Sequence, residues 1–260
     1  MTEQALVERL GPIGIIRFSA PPENIIANRG SREIKRAAMD LLEDSEVRVI
    51  VLTGAERGQF IRHADVASIA RAGDALAEGR IDEASFESSP FVQLGAMLDA
   101  ALKPVIAAID GPCMGGGLEI ALACTLRVAS SHVTSIGLPE VRIGIFPGGG
   151  GTQRLMRVMS PQRARRFILF GEVVDAAQAQ ALGIVDEVAQ DALARALQLG
   201  ETLAARSPAA LAAVLELARP SGDERLLQEA RTFAGVIRDA TVRERMRAFL
   251  SRGERLDSLP

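Results

Sequence analysis

Lys103 to Cys124 reads KPVIAAIDGPCMGGGLEIALAC, and the rest of the chain is organised around it. Val105 to Ile109 is a short apolar run of β character, the length of a buried strand. Asp110-Gly111-Pro112 punctuates the chain, and Gly115-Gly116-Gly117 then leads into Leu118 to Ala123, which reads as a helix. Glycines at a helix start let another group approach bare backbone, where the first N–H groups are unpaired. The helix dipole adds partial positive charge, which suits an oxygen that becomes negative during a reaction. Glu119 falls in the first turn, beside that spot. The same residues also describe a glycine-packed strand–helix junction with a favourable first-turn acid. The stretch predicts a local architecture and leaves its chemistry open.

Working outward, Ile13 to Phe18 reads as a first strand, broken by Pro21-Pro22-Glu23-Asn24. Arg32 to Leu42 carries apolar residues at Ile34, Ala37, Ala38, Leu41 and Leu42, the spacing of an amphipathic helix. Val47 to Thr53 is a second buried strand. Asp65 to Leu102 is helical and loop-like, with a polar segment at Arg80 to Pro90. Beyond the central stretch come a strand at Thr125 to Ser130, Glu140 ahead of another extended run, and a helix at Thr152 to Met159 introduced by Pro147 and Gly148 to Gly151. Helices at Pro161 to Leu169 and Ala176 to Leu182 precede a last strand, Gly183 to Val188. From Ala192 the chain reads as helical, with breaks at Ser207-Pro208 and Pro220-Ser221-Gly222. Strands alternating with helices predict an α/β core, followed by an all-helical C-terminal appendage.

The totals narrow the function. The chain has 260 residues, of which 48% are apolar, enough for one large core with a small appendage. A formal net charge of -3 gives no reason to expect a nucleic-acid surface. Cys113 and Cys124 are the only cysteines, and they form neither a metal-type pair nor a disulfide framework, as a reducing compartment would allow. Two histidines, His63 and His132, are too few for an all-histidine zinc site, and His132 is assigned to the surface. No metal site is expected. The first residues hold acids and no apolar signal core, and no stretch approaches the length of a membrane span. The expectation is a soluble, cytoplasmic protein.

Glycine-rich loops invite a nucleotide reading, but neither cluster satisfies it. Gly-x-Gly-x-x-Gly is absent around Gly115 and around Gly148, and neither cluster ends in the Gly-Lys-Ser/Thr of a P-loop. There is no Gly-x-Ser-x-Gly and no His-Glu-x-x-His. What remains is a pair of carboxylates, each beside a glycine turn. Glu119 follows Gly115 to Gly117, and Glu140 follows Gly137-Leu138-Pro139 and precedes Gly148 to Gly151. Two carboxylates about one water can divide acid and base roles if the site perturbs their pKa values. By spacing alone they are also ordinary solvated acids.

The motifs themselves carry a resemblance. IAAIDGPCMGGGLEIALAC resembles the central signature of the enoyl-CoA hydratase/isomerase (crotonase) superfamily, and LPEVRIGIFPGGGGTQRL resembles its second block. VIVLTGAERGQF ahead of an Ala-Asp-Val loop, GEVVDAAQAQALGIVDEV and AARSPAAL add matches in the same order, from about Ile13 to Ala212. The resemblance implies repeated ββα units forming a spiral core over residues 1–195. It also implies a helical region over 196–260 that makes subunit contacts in a homotrimer or dimer of trimers. The implied substrate is an acyl-CoA thioester, with coenzyme A entering as part of the substrate and no further cofactor.

By motif position, the backbone N–H groups of Ala64 and Gly116 would form an oxyanion hole. Glu119 would activate water for the β-carbon, and Glu140 would supply the α-proton. Arg62, His63, Asp65, Val66, Gly115, Pro139 and Gly148 are the implied binding positions. Retention of both glutamates favours a hydratase. Isomerisation, C–C cleavage and acyl-CoA binding without turnover stand as alternatives.

One departure concerns the first oxyanion loop, where the family's Ala-Gly-Ala-Asp is Arg62-His63-Ala64-Asp65. A glycine there that required positive φ would make histidine costly. His63 either occupies the loop surface or projects toward the thioester as a titratable group. Arg62 either meets a ligand anion or stays solvated.

Overall fold

The computed structural model describes residues 3–218 and 223–259; the break expected at Pro220-Ser221-Gly222 lies outside them. A six-stranded sheet forms the centre, in the order β1 (Gln4–Leu10), β2 (Ile13–Ser19), β3 (Val49–Gly54), β4 (Val105–Ile109), β6 (Leu126–Ser130), β9 (Glu187–Ala189). All neighbours are parallel except β1 and β2, a hairpin turned at Gly11 (φ 55°). Three two-residue strands, β5 (Cys113–Met114), β7 (Ile136–Gly137) and β8 (Val173–Val174), make a second sheet.

The central strands are apolar on both faces because both faces are covered. Ile50, Leu52, Val105, Ala107 and Ile109 join the main core, while Val49, Val51, Ile106 and Ala108 turn to the other side. That alternation is the period-2 pleat of a strand. On the first side lie α1 (Asn28–Glu43), α4 (Pro90–Asp99) and α5 (Gly116–Ala123), with α2 (Val66–Ala77) and α3 (Ala84–Glu87) further out. The chain continues through α6 (Gly151–Val158), α7 (Pro161–Leu169) and α8 (Ala176–Ala181). The second face is covered by α9 (Ala192–Ala204), whose Ala192 and Ala196 pack against it. This helix runs across the expected boundary at residues 195 and 196, so no break in packing falls there.

The expected ββα units are present. β4 leads through β5 into α5, and β6 leads through β7 into a 3-10 turn over Glu140–Ile143. That turn corrects the extended run expected after Glu140: Pro139 starts it and Gly144, at φ 85°, ends it. β1 was not anticipated, because most of its residues face solvent and it shows no buried apolar pattern. α1 starts four residues earlier than its apolar periodicity suggests. The Glu3 carboxylate, from the start of the described chain, accepts from the Ala27 and Gly30 amides at 2.5 and 3.1 Å and caps it.

The helical ending folds back on the site. α10 (Pro208–Leu217) begins at the break expected at Ser207-Pro208, where the Ser207 hydroxyl caps it, and it buries no residue. α11 (Asp223–Arg238) and α12 (Ala240–Arg252) do the opposite. Phe233, Ala234, Ile237, Met246 and Phe249 share a buried cluster with Val66, Ala70, Ile143 and Ile145.

Candidate active site

Backbone hydrogen bonds hold the loop before α2 between the chain leading into α5 on one side and Ile26 on the other. The Met114 amide donates to Arg62 O (2.8 Å), the Ile26 amide to His63 O (3.0 Å) and the Asp65 amide to Ile26 O (2.8 Å). The three glycines make this approach possible. A side chain at Gly117 would run into Ile61 O, and a Cβ on Gly116 would stand 3.1 Å from the Ala64 nitrogen. Gly115, at φ 48°, turns the chain into α5. The result sets the Ala64 and Gly116 backbones side by side, and neither amide donates a hydrogen bond to any described group. Leaving a donor unpaired in a buried place costs about 1–3 kcal/mol, unless a ligand oxygen takes it.

Both amides line a cavity of about 330 Å³. His63, Asp65, Val66, Gly115, Glu119, Glu140 and Gly148 also line it, so the fold brings together most of the residues singled out in the sequence. Two of them it does not. Arg62 is turned to a neighbouring groove, where its Nη1 donates to Glu23 Oε1 at 3.0 Å. Pro139 lies just ahead of Glu140 and shapes its turn without lining the cavity. Asp65 uses its carboxylate locally: Oδ1 accepts from the Ala67 amide (3.0 Å) and Oδ2 from the Ser68 hydroxyl (2.5 Å), which caps α2.

His63 has ordinary backbone geometry, since Asn24 is the only non-glycine residue with positive φ among those described. The cost anticipated for histidine there does not arise. Its Nδ1 lies 2.8 Å from Ala64 O, and burial, with help from the Arg62 charge, lowers the imidazole pKa. The ring is neutral near pH 7 and donates from Nδ1.

Glu119 and Glu140 occupy unlike environments. Both are buried, at 4% and 7% exposure. Glu119 Oε1 accepts from the Gly149 amide (2.7 Å) and the Gly151 amide (2.9 Å), while Oε2 accepts from no described group. Burial raises its pKa, and those two amides together with the Arg154 charge oppose the rise. Glu140 has less support. Its own backbone amide favours the carboxylate, but Oε2 is buried with no partner among the described residues, and burial followed by the Glu119 charge, with Glu229 adding to it, holds its pKa well above the carboxylate range. Two carboxyls pushed apart in this way can divide base and acid roles.

Three residues of this arrangement were not found by sequence reasoning. Arg154, 2% exposed, donates from Nη1 to Gly149 O (2.6 Å) and from Nε to Asp99 Oδ2 (2.9 Å), tying α6, α4 and the glycine turn together. Phe233 reaches the cavity from α11 and packs edge-on against Phe146, with centroids 5.6 Å apart. Glu229 lies one helical turn before it. The signal for Glu229 was available: an acid sits inside the apolar stripe Leu226, Ala230, Phe233, Ala234 and Ile237.

Residues 8–256 match the family model of enoyl-CoA hydratase/isomerase. The chain belongs to that family. Solved structures of similar proteins agree on the fold. A carnitinyl-CoA dehydratase from Mycobacterium avium 104 is 29% identical with a TM-score of 0.82, the match covering 95% of this chain and 97% of that one. An enoyl-CoA hydratase subunit I from Geobacillus kaustophilus HTA426 is 31% identical with a TM-score of 0.74, over 96% of this chain and 95% of that one. EchA1_1 from Mycobacterium paratuberculosis is 29% identical with a TM-score of 0.81, over 95% and 96%. The crotonase-type core with its C-terminal helices is therefore the fold of this family member. Among the described residues no helix is long and apolar enough to cross a membrane, and no group of three potential ligands is placed to hold a metal.

Proposed function

We propose that the protein adds water in syn fashion across the double bond of a 2-enoyl-CoA, giving a 3-hydroxyacyl-CoA. One observation carries this reading: two buried carboxyls, one held by two loop amides and one with an oxygen left unpartnered, share a cavity wall with two unpartnered amides. The thioester oxygen takes the Ala64 and Gly116 amides, which stabilise the enolate-like charge that develops there. Glu119 draws a proton from water as its oxygen bonds to the β-carbon. Glu140, protonated, gives its proton to the α-carbon. One C–O and one C–H bond form, and solvent returns the proton from one carboxyl to the other. The protein groups suffice for each step, so we propose no metal or organic cofactor beyond the coenzyme A of the substrate.

The acyl chain would lie along Ile69, Ile81, Phe86, Phe146 and Phe233, an apolar wall suited to an uncharged chain. By the same family reasoning we propose a soluble homotrimer or dimer of trimers in the cytoplasm.

The test follows the loss of the conjugated enoyl-thioester absorbance of crotonyl-CoA in wild type, Glu119→Gln and Glu140→Gln. Each substitution is expected to lower kcat by about 100- to 10,000-fold, the range of general acid–base catalysis. Full turnover in either variant would overturn the assignment of that carboxyl.

A further inference from the structure

Glu229 lies on the buried face of α11, 5% exposed, and reaches into the glycine turn that carries Glu119's hydrogen bonds. It accepts from the Gly150 amide and the Thr152 hydroxyl, and from the Gln153 amide at 3.3 Å. Glu119 takes the Gly149 and Gly151 amides of the same turn. Two carboxylates from distant parts of the chain thus interleave along five consecutive residues. Gly150 itself sits at φ 111°, and a side chain there would collide with the Arg154 guanidinium. The turn is therefore gripped from three sides, by Glu119, Arg154 and Glu229. Only Glu229 comes from the C-terminal helices.

We propose that Glu229 is a positioning residue: by holding Gly150, Thr152 and Gln153 it fixes the turn whose alternate amides aim the Glu119 carboxylate at the reacting water. This rests on the reading of Glu119 as the base. The same helix places Phe233 in the cavity wall one turn further on, against Gly148. The element that lines the acyl site thereby also sets the base.

The charges around Glu119 make the role measurable. Arg154 faces it from α6, Glu140 from the 3-10 turn and Glu229 from α11, with neutral His63 also on the cavity wall. Burial and the Glu119 charge push Glu229 up to about 7, so near neutral pH it is negative in only part of the molecules. Removing that charge lowers the pKa of Glu119.

The experiment measures kcat and KM for hydration of crotonyl-CoA against pH in wild type, Glu229→Ala, Glu229→Gln and Thr152→Val, with thermal unfolding of each. Glu229→Ala is expected to lower kcat by about 30- to 100-fold with KM within about twofold, as displacement of a catalytic group by an ångström costs up to about 100-fold. Glu229→Gln keeps an acceptor for the Gly150 amide. It should recover kcat to within about fivefold of wild type and move the acid limb of the profile to lower pH. Thr152→Val should fall between them, and it decides with Glu229→Gln if Glu229→Ala does not fold.

An unchanged kcat in Glu229→Ala or, if that variant is unfolded, in Thr152→Val overturns the proposal. So does a loss confined to KM, or an unmoved acid limb in Glu229→Gln. An inactive Glu119→Gln beside an unaffected Glu229→Ala overturns the positioning role alone. A fully active Glu119→Gln, or a wild type that turns over no enoyl thioester, overturns the base reading and this proposal with it.

Discussion

At the scale of single residues, His63 and Glu140 show how burial assigns protonation. His63 stands on the cavity wall, but desolvation and the neighbouring Arg62 charge both oppose a second proton on its ring. Its folded pKa lies below the ordinary 6.5, so the ring is mostly neutral at and above that pH. A change in rate between about pH 7.5 and 9 is then expected from other groups, the glutamates first. His63→Ala is expected to leave that part of the kcat profile in place. A limb in that range that vanishes in the variant would show the imidazole taking part in the chemistry. Glu140 is the opposite case: an acid kept protonated by its surroundings can donate a proton near neutral pH, which a solvated carboxyl cannot.

At the scale of elements, the site depends on how helices begin. α5 starts at glycines that allow the Ile61–Ala64 backbone to approach, and α6 starts at a turn whose amides are taken alternately by two carboxylates. α2 starts with Asp65, which the family motif presents as a binding position and the structure uses as a cap. The same loop supplies the Ala64 amide one residue earlier, so the cap steadies the proposed oxyanion position through the backbone. Asp65→Ala should cost about 1 kcal/mol in equilibrium denaturation, the usual value of an N-cap. Asp65→Ser should recover most of it. If Asp65→Ala keeps its stability and instead raises KM, the residue contacts substrate after all.

At the scale of the whole molecule, the C-terminal helices divide their work. α11 puts Phe233 in the cavity wall and α12 packs beside it through Met246 and Phe249, whereas α10 leaves Val214 and Leu217 at 62% and 86% exposure. Leu169 and Phe170, at the end of α7, are likewise exposed. Apolar surface left bare on one chain is commonly covered by another. For the proposed trimer or hexamer, sedimentation equilibrium should return three or six times the chain mass of 27.6 kDa. The double variant Val214→Asp with Leu217→Asp should shift that mass toward the monomer if α10 forms part of the interface. A monomeric wild type would overturn the assembly.

Composition and local pattern determined the apolar strands, the glycine-led helix α5, the helical ending and, through ordered motifs, the family. Those features depend on residues close together in the chain, where period and turn chemistry act directly. The motifs also pointed to Glu119, Glu140, Ala64 and Gly116, which the fold gathers on one cavity. Tertiary structure alone decided the rest. Arg62 faces away to Glu23, the segment after Glu140 is a 3-10 turn, and a single turn at Gly149 to Gln153 is shared by Glu119 and Glu229. The partners in that turn are separated by as many as 79 residues, and no local pattern records which distant carboxyl a backbone amide will meet. The protonation of the two glutamates belongs to the same class, because desolvation is a property of everything packed around a group.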